Sequence, residues 1–319
     1  MAPSTSEPLL LRVRSSCEKL LAHEDAAVRV VDAGIARFLE SLDDAKFASL
    51  AGPDRFPLNF RSPQEEIGFL TLYSLLNFGS GYRKDLHKYC DRLYGLLGMY
   101  ISVPALSAEY LKGMSLDVVA NFFAIPLERD EELSTGIYIA RPGPLKSLVQ
   151  MIQHALNECA TSEQPSAVHL VEQLVCVFPA FDDHREVRGE KVFFLKRAQL
   201  AVASIHRRFK VHMLAGLKRE RVRVGIGTHS SVLPCVLRAL GILEYDPALA
   251  QIVDSGEHLP AGARECEIRA GAVVAAEKIR AASGGRFTVD DLDWYLWRAG
   301  KEPEYRGLER HATRDTFFY

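Results

Sequence analysis

The residue types and spacing best suited to chemistry lie near the C-terminus, in the decapeptide Thr288 to Trp297, Thr-Val-Asp-Asp-Leu-Asp-Trp-Tyr-Leu-Trp. Thr288 can cap a helix, and Asp290 and Asp291 then fall in its first turn, where the positive end of the helix dipole favours carboxylates. Leu292, Tyr295 and Leu296 share one face at three- and four-residue spacing, and Asp293 stands one position from Leu292 at the edge of that face. A carboxylate is thus held near three rings, those of Trp294, Tyr295 and Trp297. Buried, it needs a partner, and its protonation becomes open to the shifts that acid–base chemistry uses. Solvated, it is an ordinary helix-surface aspartate.

Two further stretches carry polar groups in unusual company. Val192-Phe-Phe-Leu-Lys196-Arg197-Ala-Gln199-Leu-Ala-Val-Ala sets two cations and an amide inside an apolar helix. Each must find a partner there, unless Lys196 and Arg197 run their stems along the apolar surface and end in water. In Asn77-Phe-Gly-Ser80-Gly-Tyr82-Arg, two glycines flank a serine. Such backbone can approach a ligand closely and cradle an anion through its N–H groups, or simply end a helix. No Gly-Lys-Ser/Thr follows at the spacing of a nucleotide-binding phosphate loop.

The elements that must position these groups read as helices. Apolar residues recur at helical spacing in Leu9 to His23 and in Ala26 to Leu42, which predicts two amphipathic helices. Ser62 before Pro63, with Glu65 and Glu66 following, starts a central helix through Leu76. Further helices are expected over Lys84 to Met99, Ser107 to Gly113, Ser115 to Ala124, Leu145 to Ala160, Ser166 to Val177 and Lys191 to Phe209. After a glycine-rich loop over Gly225 to Ser231, others run from Pro234 through Leu243, Ala248 to Val253 and Glu265 to Ala282. The Arg188-Gly189 turn within Glu186 to Phe194 reads as a small β-hairpin. The fold class is mostly α. The polar connector Thr161 to Pro165 is the expected seam between an N-terminal helical lobe, 1–160, and a C-terminal lobe, 161–319, that carries most of the site motifs.

Composition sets outer limits. With 319 residues, 48% hydrophobic and 25% charged, the chain can bury a full core. A formal charge of -2 gives no overall basic field, so duplex nucleic acid is not an expected partner. Six cysteines stand singly without CxxC, and ten histidines are equally scattered, so neither a disulfide framework nor a zinc site is expected, and no metal or cofactor is implied. No run reaches the ~18 apolar residues of a membrane span, and the N-terminus lacks the pattern of a secretory signal. The expectation is a cytoplasmic protein that binds a small ligand.

The order of several motifs resembles the queuosine salvage protein family. They are Phe178-Pro-Ala-Phe-Asp-Asp, Val192-Phe-Phe-Leu-Lys-Arg-Ala-Gln-Leu, Val232-Leu-Pro with Leu240-Gly-Ile-Leu, Glu265-Cys-Glu-Ile-Arg, Leu292-Asp-Trp-Tyr-Leu-Trp, and the ending Arg310-His311 with Phe318-Tyr319. Asn77 to Arg83 is similar to that family's N-terminal segment, especially in fungal members. The resemblance implies an α-helical fold akin to helix-hairpin-helix DNA glycosylases and an N-glycosidase that releases queuine, a 7-deazaguanine base, from queuosine 5'-monophosphate. On that footing Asp293, Trp294 and Tyr295 would hydrogen-bond and stack on the base. Lys196 or Arg197 would hold the 5'-phosphate, Ser80 and Tyr82 would lie in the binding segment, and Thr228, His229 and Ser230 would stand at the sugar.

One departure bears on chemistry. The family carries an acidic residue four positions before the Leu-Pro proline, where this chain has Ser230, and Thr228 stands in place of an aromatic. A serine hydroxyl supplies no negative charge to an oxocarbenium-like centre; losing such a carboxylate costs on the order of 4 kcal/mol or more. His229 is the alternative base in that loop. The other reading is a divergent member that keeps scaffold and pocket but binds a ligand without hydrolysis, or performs other chemistry such as that of secondary metabolism.

Overall fold

The computed structural model describes residues 8–52, 58–77, 92–103, 106, 108–123, 167–209 and 231–313. Within them the chain is mostly helical, with two small antiparallel sheets of two strands each. The first elements are α1 (Leu9–Leu21), β1 (Val28–Val30), α2 (Asp32–Ser41), α3 (Asp44–Ala51) and α4 (Pro63–Leu75). They are followed by α5 (Arg92–Ser102), α6 (Ala108–Gly113), α7 (Leu116–Phe123) and α8 (Ala167–Val177). A 3-10 turn over Pro179–Phe181 leads into the hairpin of β2 (His184–Val187) and β3 (Glu190–Phe193), and then into α9 (Lys196–Arg208). The last stretch holds α10 (Val232–Ala239), β4 (Leu243–Tyr245), α11 (Pro247–Asp254), α12 (Ala263–Ala282), α13 (Val289–Ala299) and α14 (Pro303–Arg306).

Helix α12 is the spine, and its sequence explains why. Cys266, Ala270, Val273 and Val274 recur at i, i+4, i+7 and i+8 and enter one apolar core with α1, α4, α8 and α9. Ile268, Ala272, Ala275, Ala276 and Ile279 repeat the same spacing on the other side and enter a second core with α2, α3, α10 and α13. Apolar on two opposite sides, the helix must be covered on both, and its small residues let neighbours approach closely. Each core draws residues from both sides of position 160; the expected seam at 161–165 lies outside the described residues.

Several expected elements shift. Ala26 to Leu42 is not one helix: Val28 and Val30 pair with Tyr245 and Leu243, and the helix begins only at Asp32. β-branched residues here gain more from a ladder than from a first helical turn. The helix expected from Pro234 through Leu243 starts at Val232 and stops at Ala239, because Gly241 takes φ +66° and sends Leu243–Tyr245 into that same sheet. Gly34 of α2 presses on this turn so closely that a Cβ there would lie 2.0 Å from the Gly241 carbonyl oxygen. Lys191 to Phe209 is helical only from Lys196, since Glu190–Phe193 pairs with His184–Val187 across the Arg188-Gly189 turn. The hairpin forms as expected. The β1–β4 pair is a second β element that the apolar spacing concealed.

Other starts fall where capping chemistry predicts. Ser62 accepts from the Glu65 amide ahead of Pro63. Thr288 and Asp291 form a reciprocal capping box at the head of α13. The helix expected over Leu145 to Ala160 and the first part of that over Lys84 to Met99 lie outside the described residues. Among the described residues, no helix is long and apolar enough to cross a membrane, and Cys17, Cys176, Cys235 and Cys266 carry free thiols.

Candidate functional site

The capping box fixes where α13 begins and therefore which way its side chains turn. Val289, Leu292, Leu296 and Ala299 are buried; the first three enter the second core. On the other side Asp290, Asp293, Trp294 and Trp297 recur at i, i+3, i+4 and i+7, one stripe of two carboxylates and two indoles. Asp293 is 3% exposed. The indoles of Trp294 and Trp297 meet edge to face with centroids 5.4 Å apart. Tyr295 turns away from this stripe, stacked on Phe47 at 4.9 Å and tilted against Phe38 at 6.1 Å, where α3 and α2 meet α13. The structure therefore brings Asp293 and Trp294 together and commits Tyr295 to the core.

Two arginines hold the stripe in place. From the C-terminal end of α9, Arg207 donates Nε to Asp290 Oδ2 at 2.7 Å and Nη2 to the Asp290 carbonyl at 3.1 Å. Its Nη1 reaches the Ala51 carbonyl at 2.9 Å, and Asp291 Oδ1 lies 3.6 Å from Nη2. Arg298 donates Nη1 to the carbonyls of Leu50 and Gly52 at 2.6 and 2.9 Å. Carbonyls that the end of α3 leaves without helical partners are thus capped by guanidinium groups from α9 and α13. Both guanidinium carbons sit 5.1 Å from the Trp294 ring centroid, within cation–π range. Burial pushes the Asp290 carboxyl up to about 6; Arg207 opposes that rise, and the nearby charges of Asp293 and Asp291 add to it.

A second polar cluster forms at the opposite end of α9, about 16 Å away along the helix axis. Lys196 and Arg197 are both fully buried rather than reaching solvent. Lys196 Nζ donates to the Asn77 carbonyl at 3.4 Å, at the end of α4. Arg197 donates to the carbonyls of Leu75, at 2.6 Å, and Ala180. Burial lowers the Arg197 guanidinium to about 10. Gln199 Nε2 reaches the Phe194 carbonyl at 2.6 Å.

The corner that delivers these side chains is built on Asp183. Its carbonyl accepts from the amides of Phe194 and Leu195 at 2.9 and 3.0 Å, and its Oδ2 accepts from the Lys196 amide at 3.3 Å. Leu195 is left-handed at φ 51°, a conformation costing a non-glycine residue roughly 1–2 kcal/mol, and Asp183 is what holds it. Arg269 of α12 locks Asp183 in turn and lies 3.8 Å from the Phe194 ring centroid, with Glu265 one helical turn before it. Three segments distant in sequence, Phe178 to Asp183, Val192 to Leu200 and Glu265 to Arg269, therefore converge on one buried ion cluster.

Thr228, His229, Ser230, Ser80 and Tyr82 lie outside the described residues. Ser231, next after Ser230, is buried and leads into α10, whose Val232 and Val236 press on Gly300 at the end of α13; a Cβ there would lie 2.4 Å from Val232 Cγ1. Reading by spacing alone gave Arg207, Arg298, Asp183 and Arg269 no place in the site, although Asp183 and Arg269 lie within the motifs Phe178 to Asp183 and Glu265 to Arg269 that carry the resemblance. Asp290 had a signal, its place three residues before Asp293, but its role as a helix-start carboxylate explained it fully.

Residues 99–319 match the family described as Queuosine salvage protein. A Sphaerobacter thermophilus protein named Queuosine 5'-phosphate N-glycosylase/hydrolase is 33% identical over 227 residues, 68% of this chain and 67% of that protein. A Dictyostelium discoideum protein of the same name is 28% identical over 176 residues, 54% of each chain. One from Bos taurus is 27% identical over 354 aligned positions, covering 97% of this chain and 99% of its own.

Proposed function

The chain belongs to the queuosine salvage protein family, and from that premise we propose that it is an N-glycosidase releasing queuine from queuosine 5'-monophosphate. The observation that carries this reading is the stripe on α13, where a buried Asp293 adjoins Trp294. Breaking the bond between ribose C1' and the base nitrogen builds positive charge on the sugar, so a carboxylate beside it lowers the barrier. The departing base needs a hydrogen-bonding partner because a 7-deazapurine lacks the ring nitrogen that ordinary purine glycosidases protonate.

Lys196 and Arg207 share one face of α9, at its two ends. Lys196 is proposed for the phosphate and the α13 stripe for the base. Trp294, braced by two guanidinium groups, offers a rigid wall at the base end, while Tyr295 serves as its support through α3. Thr228, His229 and Ser230 are proposed at the sugar, and Ser80 and Tyr82 in the binding segment. The proposed setting is cytoplasmic salvage that returns queuine to tRNA modification, on a scaffold akin to helix-hairpin-helix glycosylases with lobes at 1–160 and 161–319.

A second reading rests on Ser230, which by the resemblance stands where family members carry an acidic residue. In that reading the pocket binds a nucleotide or heterocycle without cleaving it, or performs other chemistry. Chromatographic detection of free queuine from queuosine 5'-monophosphate separates the two. Release by the wild type supports the glycosidase; no release by the wild type but release by Ser230→Asp supports the divergent binder.

A further inference from the structure

Asp290 is tied more heavily than a helix start requires. A first-turn carboxylate is satisfied by the helix dipole and water, yet Arg207 comes from another helix to donate to both its side chain and its carbonyl. The same guanidinium holds the end of α3 through Ala51 and lies over Trp294. One cation therefore joins α3, α9 and α13 at the point where Trp294 meets Asp293. We propose that Asp290 is a positioning residue of the reaction: with Arg207 it fixes the Trp294 wall and sets the charge beside Asp293. The catalytic part of this inference rests on the glycosidase reading.

The protonation of Asp290 gives the pair a consequence that a plain cap lacks. With its carboxyl pushed up to about 6, Asp290 changes charge close to the pH at which cytoplasmic enzymes work. Protonation removes the ionic half of the contact with Arg207 and the negative charge one turn from Asp293. Among the described residues, the charged groups around it are Arg207 from α9, with His206 beside it in sequence, and Asp291, Asp293 and Arg298 from α13 itself. The end of α3 contributes the carbonyls of Leu50, Ala51 and Gly52.

The two tryptophans of the chain, Trp294 and Trp297, both lie in this stripe, so tryptophan fluorescence excited where tyrosine does not absorb reports on it. The experiment titrates tryptophan fluorescence of the full chain from about pH 5 to pH 8 in the wild type, Asp290→Asn and Asp290→Glu. In parallel it follows kcat and KM for queuine release from queuosine 5'-monophosphate. The expected result is a wild-type fluorescence transition with its midpoint near pH 6 and a limb of kcat/KM at the same pH. Both vanish in Asp290→Asn, which also separates them from any titration of His206, and both return with a displaced midpoint in Asp290→Glu. In the Asn variant kcat, corrected for the folded fraction read by circular dichroism, falls about tenfold while KM changes by less than about threefold.

A transition that persists unchanged in Asp290→Asn, or is absent from the wild type, overturns the inference. So does a wild-type pH profile of kcat/KM in the Asn variant. If Asp290→Asn fails to fold, the midpoint in Asp290→Glu decides instead. If the wild type releases no queuine, the glycosidase reading fails separately, and the fluorescence titration still decides whether the clamp operates.

Discussion

Arg269 grips Asp183 with two contacts, Nη1 to Oδ1 at 3.2 Å and Nη2 to Oδ2 at 2.5 Å, across 86 residues of sequence. Both side chains are buried, so the worth of the pair lies in what its loss would leave behind. Removing one partner strands a charge in the core at a cost of about 3–5 kcal/mol. Asp183→Ala is expected to lose that much stability in urea unfolding. Asp183→Asn, which keeps an acceptor for the Lys196 amide, should lose less. Equal losses in the two variants would mean that the left-handed corner at Leu195 does not depend on this carboxylate's hydrogen bonds.

Lys196 is expected to read the phosphate. A hydrogen bond to a charged group contributes about 1.5–3 kcal/mol, or roughly 10- to 150-fold in an equilibrium. Lys196→Met should therefore raise KM for queuosine 5'-monophosphate by about that factor and leave any release from the unphosphorylated nucleoside nearly unchanged. Steady-state kinetics on both substrates check it. Equal losses on the two would remove Lys196 from the phosphate.

The head of α13 should tolerate little change. Thr288 and Asp291 satisfy each other's backbone groups in the capping box, and replacing such a threonine by alanine costs about 1 kcal/mol. Thr288→Ala is expected to lower the thermal midpoint by a few degrees, read by circular dichroism. Unchanged melting would show that the core contacts of Leu292 and Leu296 alone hold the helix start.

The raised carboxyl of Asp290 fixes the sign of a stability change with pH. Its ordinary value is 3.8 and its folded value about 6, so between them the folded state binds the proton that the unfolded state has released. Stability then falls as pH rises through that window and levels off above about 6. Asp290→Asn cannot titrate, so its stability relative to the wild type should grow from pH 4 to pH 6.5, roughly the span of that window. Denaturant unfolding of both proteins at the two ends of the window measures this. A constant difference would show that Arg207 fully compensates the buried charge.

Much of the candidate site was legible because local chemistry wrote it. The Thr288 cap, the first-turn carboxylates and the ring-rich decapeptide all reflect interactions within one helix. The Arg188-Gly189 turn likewise marked the hairpin. What stayed hidden depends on distant partners. Val28-Arg-Val30 reads as helix until Leu243–Tyr245 is beside it. Arg207, at the end of an amphipathic helix, reads as a solvated cation until Asp290 and Ala51 surround it. Spacing put Tyr295 on the apolar face with Leu292 and Leu296, where it stacks on Phe47; its ligand-stacking role was implied by the resemblance alone.

The most direct test is queuine release from queuosine 5'-monophosphate by the wild type and by Asp293→Asn, which keeps shape and removes charge. Release by the wild type, with kcat/KM lower by more than about 100-fold in the variant, is the outcome expected of a buried carboxylate at the reacting sugar and base. Wild-type kinetics in Asp293→Asn, or no queuine from either protein, would contradict it.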